Sequence, residues 1–420
     1  MSFAATKDIH APIVGEEQDI LDRRFLATRI YDRLSGDTCP QVIGIYGGWG
    51  TGKTSLLNLL LEKWKAANNS SLQIKYVDAW QYEGSGDLFV PVIVKLMAKR
   101  ATINPDLATY LKRVSLAVLY MGTDLALRKF VGLELDDVKK YKDDIESNEI
   151  NHVTPLTWEN FTDKVEETNQ ALAELVQKVS KDTGVSRLVF LIDNLDRCSP
   201  ENTVRLLESI KNFLIIPGCV WVFAMDSDVI ASYIRHRYEG TTIDGNCYLD
   251  KIVPEQYHLS FFPEENGPRV FALINRVTRG SFILDERRFP QIPSAMVPRR
   301  LKKSAGKLAE YFAGNLPNVD SNTVFLMSLL YHTWPDFYER LSSSSLKHVG
   351  GVLANFYGKD QPDGTKKWGD FNALSLGGDF AGDKDIIYFL QTAFPGCDGD
   401  AGIANEIKRA LDGLRQIGLP

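Results

Sequence analysis

Gly47-Gly48-Trp49-Gly50-Thr51-Gly52-Lys53-Thr54, running on into Ser55-Leu56-Leu57-Asn58-Leu59-Leu60-Leu61, is the stretch that decides the fold. It matches G-x-x-x-x-G-K-[ST], and it follows the apolar run Gln41 to Tyr46 and precedes a helical run from Ser55 to Trp64. Strand, glycine loop and helix stand in the order that phosphate binding needs. Glycines let the loop wrap a phosphate with its amides inward, and the amino terminus of the following helix adds partial positive charge at the same point. The segment Gly47 to Ser55 is therefore read as the nucleotide cradle, with Lys53 reaching the β- and γ-phosphates and Thr54 supplying a magnesium ligand. Lys53, placed in a loop, is expected to serve the phosphates and not the core. A chance glycine-rich turn is the alternative, and the strand and helix on either side count against it.

A second run, Leu188-Val-Phe-Leu-Ile-Asp193, is an apolar strand ending in a carboxylate, the arrangement that brings an acid beside a nucleotide-bound metal. Asp193 is accordingly the expected metal residue, together with Thr54. Alone, an aspartate at a strand end is usually a turn residue; beside the glycine loop it gains the second meaning. The chain continues Asn194-Leu195-Asp196-Arg197-Cys198-Ser199-Pro200, where Ser199 reads as a helix cap and Pro200 as a first-turn proline.

Working outward, Ile74 to Asp78 and Val220 to Met225 are two further short runs rich in Val, Ile and aromatics, as strands covered on both faces tend to be. Strands alternating with helical segments predict an α/β fold built on a parallel sheet. An amphipathic helix is expected from Glu16 to about Leu34, stopped by Ser35-Gly36. From about Leu88 to Val185 the apolar spacing is helical, with a charged middle at Asp136 to Glu149, and reads as a helical insertion. Helices are expected again at Arg299 to Phe312, Thr323 to Tyr331 and Gly402 to Arg415, with an irregular loop at Gly358 to Asp385. The domain reading is a phosphate-loop domain over residues 1–262 and a helical lid or partner domain over 263–420.

Composition agrees with an ordinary globular protein: 44% hydrophobic and 24% charged residues, with a formal net charge of −6. That charge offers no general case for nucleic acid or an anionic membrane as obligatory partner. Five cysteines, odd in number and without a CxxC pair, point to a reducing compartment and no structural zinc, and the six histidines show no ligand spacing. The start lacks the basic and apolar regions of a signal peptide, which makes a cytoplasmic location the expectation. Val114 to Thr123 reaches only about half the roughly 20 apolar residues that a spanning helix requires, so no membrane insertion is expected.

Taken together, these residues resemble the KAP family of P-loop NTPases, relatives of the STAND and AAA+ groups. The resemblance is carried by Glu17 to Ala27, Gly47 to Thr54, Val77-Asp-Ala-Trp-Gln-Tyr-Glu83, Ile192-Asp-Asn-Leu-Asp-Arg-Cys198 and Phe223-Ala-Met-Asp226, with a weaker block at Tyr248 to Ile252 and Pro298 to Lys302. It covers most of residues 8–305 and implies binding of ATP with Mg2+. Two departures stand out. Members often carry transmembrane helices within the NTPase domain, and no run of that length stands here. The family commonly ends the catalytic strand with two adjacent acids, whereas position 194 is Asn, which can orient a water but cannot act as a base.

The residues leave the general base open between Asp196 and Glu83, with Asn194 as a water-orienting group. Asp226, ending the fourth strand, could touch the γ-phosphate or simply cap the next helix with Asp228. Arg299 resembles the lid arginine that contacts the γ-phosphate in related ATPases, or belongs to a solvated basic face with Arg300, Lys302, Lys303 and Lys307. Arg235, Arg237 and Lys251 stand where related proteins place charges that complete a neighbouring subunit's site, though a structural role is the stronger reading of any one of them, and Pro12 to Gly15 either resembles the stretch that cradles adenine in AAA+ and STAND proteins or is an ordinary loop. Three functions are expected: a low-turnover Mg-dependent ATPase acting as switch or motor, with a homo-oligomer or effector protein as partner, for which the family resemblance alone implies a role in bacterial defence against phage; a loader-type ATPase that binds nucleic acid through the Arg299 to Lys307 face or Lys139, Lys140 and Lys142; and a regulatory module that binds nucleotide with little hydrolysis.

Overall fold

In the computed structural model the described residues are 12–13, 18–85, 184–213, 217–259, 263–314, 316–343, 384–394 and 401–420, with residues 173, 177, 180–181, 359–360 and 366–367. The insertion read at 88–185 lies outside them, except for residues 173, 177, 180 and 181, which are helical, and 184–185, which lead into the next strand. Most of the loop read at Gly358 to Asp385 is outside them too; within it Lys359–Asp360 pairs antiparallel with Lys366–Lys367.

The chain divides into two compact units, Ile13–Glu16 with Arg23–Leu259, and Met1–Pro12 with Glu17–Asp22 and Ser260–Pro420. In the first, strands β1 (Val42–Tyr46), β2 (Leu72–Asp78), β3 (Arg187–Asp193), β4 (Cys219–Met225) and β5 (Glu255–His258) form one sheet in the order β2-β3-β4-β1-β5. Every pair is parallel. The first four were legible as apolar runs; β5, reading Glu-Gln-Tyr-His, is a polar edge strand without that signal.

Among the described residues, five helices cover the sheet: α1 (Arg24–Ser35), α2 (Lys53–Ala67), α3 (Pro200–Phe213), α4 (Ser227–Arg237) and α5 (Gly245–Ile252). Because successive strand residues face opposite sides, each buried strand serves two cores. Ile43, Ile45, Val189, Leu191 and Val222 pack with Ala27, Ile30 and Leu34 of α1 and Leu56, Leu57 and Leu60 of α2. Their neighbours Phe190, Ile192, Trp221 and Phe223 pack on the other face with Val204 and Leu207 of α3, Ile230 and Ile234 of α4 and Leu249 of α5. Phe190 and Trp221 stack with ring centroids 4.4 Å apart. Truncating a wholly buried residue such as Leu56 to alanine would cost ~2–5 kcal/mol, enough to threaten a domain of ordinary stability.

The helix expected from Glu16 begins only at Arg24. Asp22 sits at φ 57°, a left-handed conformation that breaks helical continuation, and its carboxylate is bonded by Arg269 at 3.0 Å. Ile20 and Leu21, counted by their spacing into α1, pack instead with the core of the other unit.

That unit is helical: α6 (Pro263–Thr278), α7 (Pro298–Ala313), α8 (Ser321–Thr333), α9 (Pro335–Ser343), α10 (Lys384–Ala393) and α11 (Ala401–Gln416). Its central member is α8, buried without interruption from Asn322 to Leu330 and capped by Asp320, which accepts from the Thr323 amide. A helix that is apolar all round has to be surrounded, and α7, α9 and α11 pack against it. No described helix is long and apolar enough to cross a membrane.

Candidate phosphate and metal site

Register places the chemistry. Asp78 is level with Asp193, and Tyr46 with Met225, so the carboxyl ends of β2, β3, β4 and β1 form one rim from which the glycine loop departs. Open parallel sheets bind ligands at this rim. Gly50 at φ 85° and Gly52 at φ 102° hold left-handed conformations that a side chain would strain. A Cβ on Gly47 would meet the Thr51 hydroxyl at 2.6 Å. The loop is fastened by the Gly47 amide donating to the Met225 carbonyl (3.2 Å) and the Thr51 hydroxyl to the Gly48 carbonyl (2.8 Å).

Lys53 is the first residue of α2, and its ammonium turns back into the loop, donating to the carbonyls of Gly47 (2.7 Å) and Gly48 (3.3 Å). Its third bond goes to Asp196 Oδ2 at 3.1 Å, in an ion pair whose members are only 8% and 5% exposed. Lys53 was expected to serve the phosphates and not the core; here it is buried and also neutralises a buried carboxylate.

Asp193 receives the Thr54 hydroxyl at 2.7 Å, the Tyr76 hydroxyl at 3.1 Å and the Asn194 amide at 2.9 Å. Burial raises its pKa above the ordinary carboxylate value, against those three hydrogen bonds. Burial and the Asp193 charge likewise push the Tyr76 phenol up. Thr54 and Asp193, a hydroxyl and a carboxylate brought together at the rim, are the residues that would hold a Mg2+ arriving with a nucleotide. Among the described residues no three His, Cys, Asp or Glu side chains converge as a metal cage.

Asn194 stands at φ 60°, a conformation asparagine tolerates, and its side-chain amide donates to Asp78 Oδ1 at 3.0 Å. Glu83 Oε1 accepts from the Ser199 amide (2.9 Å) and the Asn202 side chain (3.1 Å), which ties it to the amino terminus of α3. Asp226 caps α4, accepting from the Asp228 amide, while its other oxygen lies 3.7 Å from where a Gly48 Cβ would be. The segment at Ile13 reaches α2 through Ser55 Oγ (3.2 Å) and Asn58 (2.8 Å). Arg299 is exposed on α7 of the helical unit, where Lys307 is engaged by Glu310 and the Ile417 carbonyl. Arg235, Arg237 and Lys251 are exposed at the ends of α4 and α5. Lys139, Lys140 and Lys142 lie outside the described residues.

Sequence reading missed Tyr76, Asp78 and Arg197. The Arg197 guanidinium lies between two indoles, 5.5 Å from the Trp49 ring and 5.4 Å from that of Trp80. The signal that could have found Asp78 is its position as the last residue of a strand neighbouring β3.

Residues 24–265 match the model described as KAP family P-loop domain. Phage T7 exclusion protein of Escherichia coli (strain K12) is 24% identical over 269 residues, covering 58% of this chain and 34% of that protein. The chain thus spans about a third of that relative's length. Among solved structures, the Aeropyrum pernix ORC2 protein in ADPNP and ADP complexes matches with a TM-score of 0.38 at 11% identity, over 83% of this chain and 77% of that one. Cdc6p from Pyrobaculum aerophilum matches with a TM-score of 0.39 at 12% identity, over 83% and 76%. With its family model matched over more than half its length and the phosphate loop folded at the rim of a parallel sheet, the chain belongs to the KAP family of P-loop NTPase domains.

Proposed function

We propose that this protein is a Mg-dependent ATPase of low turnover that works as a switch or motor. The observation that carries the reading is the pairing, at one rim, of Lys53 with Asp196 and of Thr54 with Asp193. An incoming triphosphate offers Lys53 better acceptors than the loop carbonyls, and its charge takes over the compensation that Asp196 now provides. Bound Mg2+ would neutralise charge developing on the phosphates, with Thr54 and Asp193 as its protein-side groups. Asp196, once released from Lys53, stands as the base or water-orienting acid, and Asn194 orients without accepting a proton.

Residues 1–262 would act as the nucleotide domain and 263–420 as lid or partner domain, with Arg299 as the contact to the γ-phosphate. A cytoplasmic location, a homo-oligomer or effector protein as partner, and a role in defence against phage belong to the same proposal; similarity to a phage exclusion protein supports the last. Calorimetric titration with ATP, with and without Mg2+, and phosphate release under single-turnover conditions test the reading. Mg-dependent binding with slow release is expected. Binding without release would favour the regulatory module, and salt-sensitive affinity for DNA or RNA the loader.

A further inference from the structure

Arg197 stands at the phosphate rim, on the same turn as Asp196. Its side chain is exposed, and among the described residues its guanidinium donates no hydrogen bond and meets no carboxylate. Instead it is parked between Trp49, which belongs to the phosphate loop itself, and Trp80, just beyond β2; both indoles are more than half exposed, at 58% and 54%. Cation–π stacking at exposed sites is weak, so an anion placed within reach would draw the guanidinium away.

The backbone beneath it is fixed. Asn194 to Cys198 form a tight turn, with the Arg197 amide donating to the Asn194 carbonyl (3.1 Å) and Cys198 to Leu195 (3.2 Å), while Leu195 is fully buried. The same turn carries Asp196, whose carboxylate holds Lys53. A triphosphate that captures Lys53 therefore acts on the turn that carries Arg197.

We propose that Arg197 is an arginine finger supplied in cis, stored on Trp49 and Trp80 and delivered to the γ-phosphate as it transfers; this rests on the ATPase reading above. In the step assisted, a water oxygen forms a bond to the γ-phosphorus while the bond from phosphorus to the β,γ-bridging oxygen breaks. The electron pair goes to ADP and the water proton ends on orthophosphate. Arg197 bonds the oxygens on which negative charge collects, a role that arginine's planar fork of donors suits.

The test is single-turnover hydrolysis by Arg197→Ala and Arg197→Lys, with ATP affinity measured by calorimetry and binding of ADP with aluminium fluoride as a second readout. Arg197→Ala is expected to slow hydrolysis by at least about 10³-fold while ATP affinity changes less than about threefold, and to lose the tighter binding of ADP with aluminium fluoride over ADP alone. If the alanine variant does not fold, the lysine variant is read by the same criteria. Parental hydrolysis in the variant overturns the role of Arg197, as does a slower rate matched by an equal loss of ATP affinity, which would make the arginine a support of the loop. A parent protein that binds ATP but releases no phosphate overturns the ATPase reading itself, and this proposal with it.

Discussion

Lys53 Nζ and Asp196 Oδ2 lie 3.1 Å apart, both buried, across 143 residues of sequence. Under the proposed ATPase reading, a nucleotide that binds Lys53 has to replace this protein partner, which would couple its entry to the position of a carboxylate on the turn after β3.

Removing one member of such a pair leaves an uncompensated buried charge, which typically costs ~3–5 kcal/mol. Lys53→Ala should abolish tight ATP binding and also lower the nucleotide-free protein's stability by about that much in denaturant melts. The double variant Lys53→Met with Asp196→Leu should recover most of the loss. Unchanged stability in Lys53→Ala would show that the ion pair is not populated in solution.

Asp193 tests the metal assignment and carries a pH signature. Asp193→Asn should cut Mg-dependent hydrolysis at least about tenfold while affecting nucleotide binding less. Since burial raises the Asp193 pKa in the folded state, its contribution to stability is present at acid pH and lost as pH rises through that raised value. The nucleotide-free Asp193→Asn protein should therefore melt at or above the parental temperature at pH 8, with the advantage vanishing on acidification. A parental advantage that grows with pH would contradict the burial argument.

Asn194 and Asp196 separate orientation from proton transfer. Asp196→Ala should lower turnover at least about tenfold, near 1.4 kcal/mol of barrier. Asn194→Asp would restore the family's second acid, yet it replaces a donor to Asp78 at 3.0 Å with a like charge. Reduced stability is expected, relieved by adding Asp78→Asn. Normal turnover in Asp196→Ala would return the base to another residue.

Glu83 should act on stability before chemistry. Its bonds to the Ser199 amide and Asn202 resemble a helix cap, so Glu83→Ala should cost ~0.5–2 kcal/mol of stability. Single-turnover hydrolysis should fall less than about threefold. A loss as large as that of Asp193→Asn, with stability intact, would make Glu83 the catalytic acid.

What the sequence determined by itself was whatever neighbouring residues could encode. Glycines at 50 and 52 are required by a local backbone conformation, and the apolar strands and the Ser199-Pro200 helix start follow from local patterning and propensity. Lys53, Thr54 and Asp193 could be singled out as candidates because a short motif and the end of a strand mark their positions. The partnerships were not, because sheet order decides them: β3 comes between β2 and β4, so Asp78 meets Asn194 across 116 residues and Asp196 comes under the loop. The same cause hid β5, whose polar residues become a strand only because β1 offers a free edge, and Arg197, whose cation is held by aromatic rings from two other segments. Spacing along the chain fixes periodicity and turn chemistry; only the tertiary structure, by excluding water from particular pairs of distant groups, decided which charge compensates which.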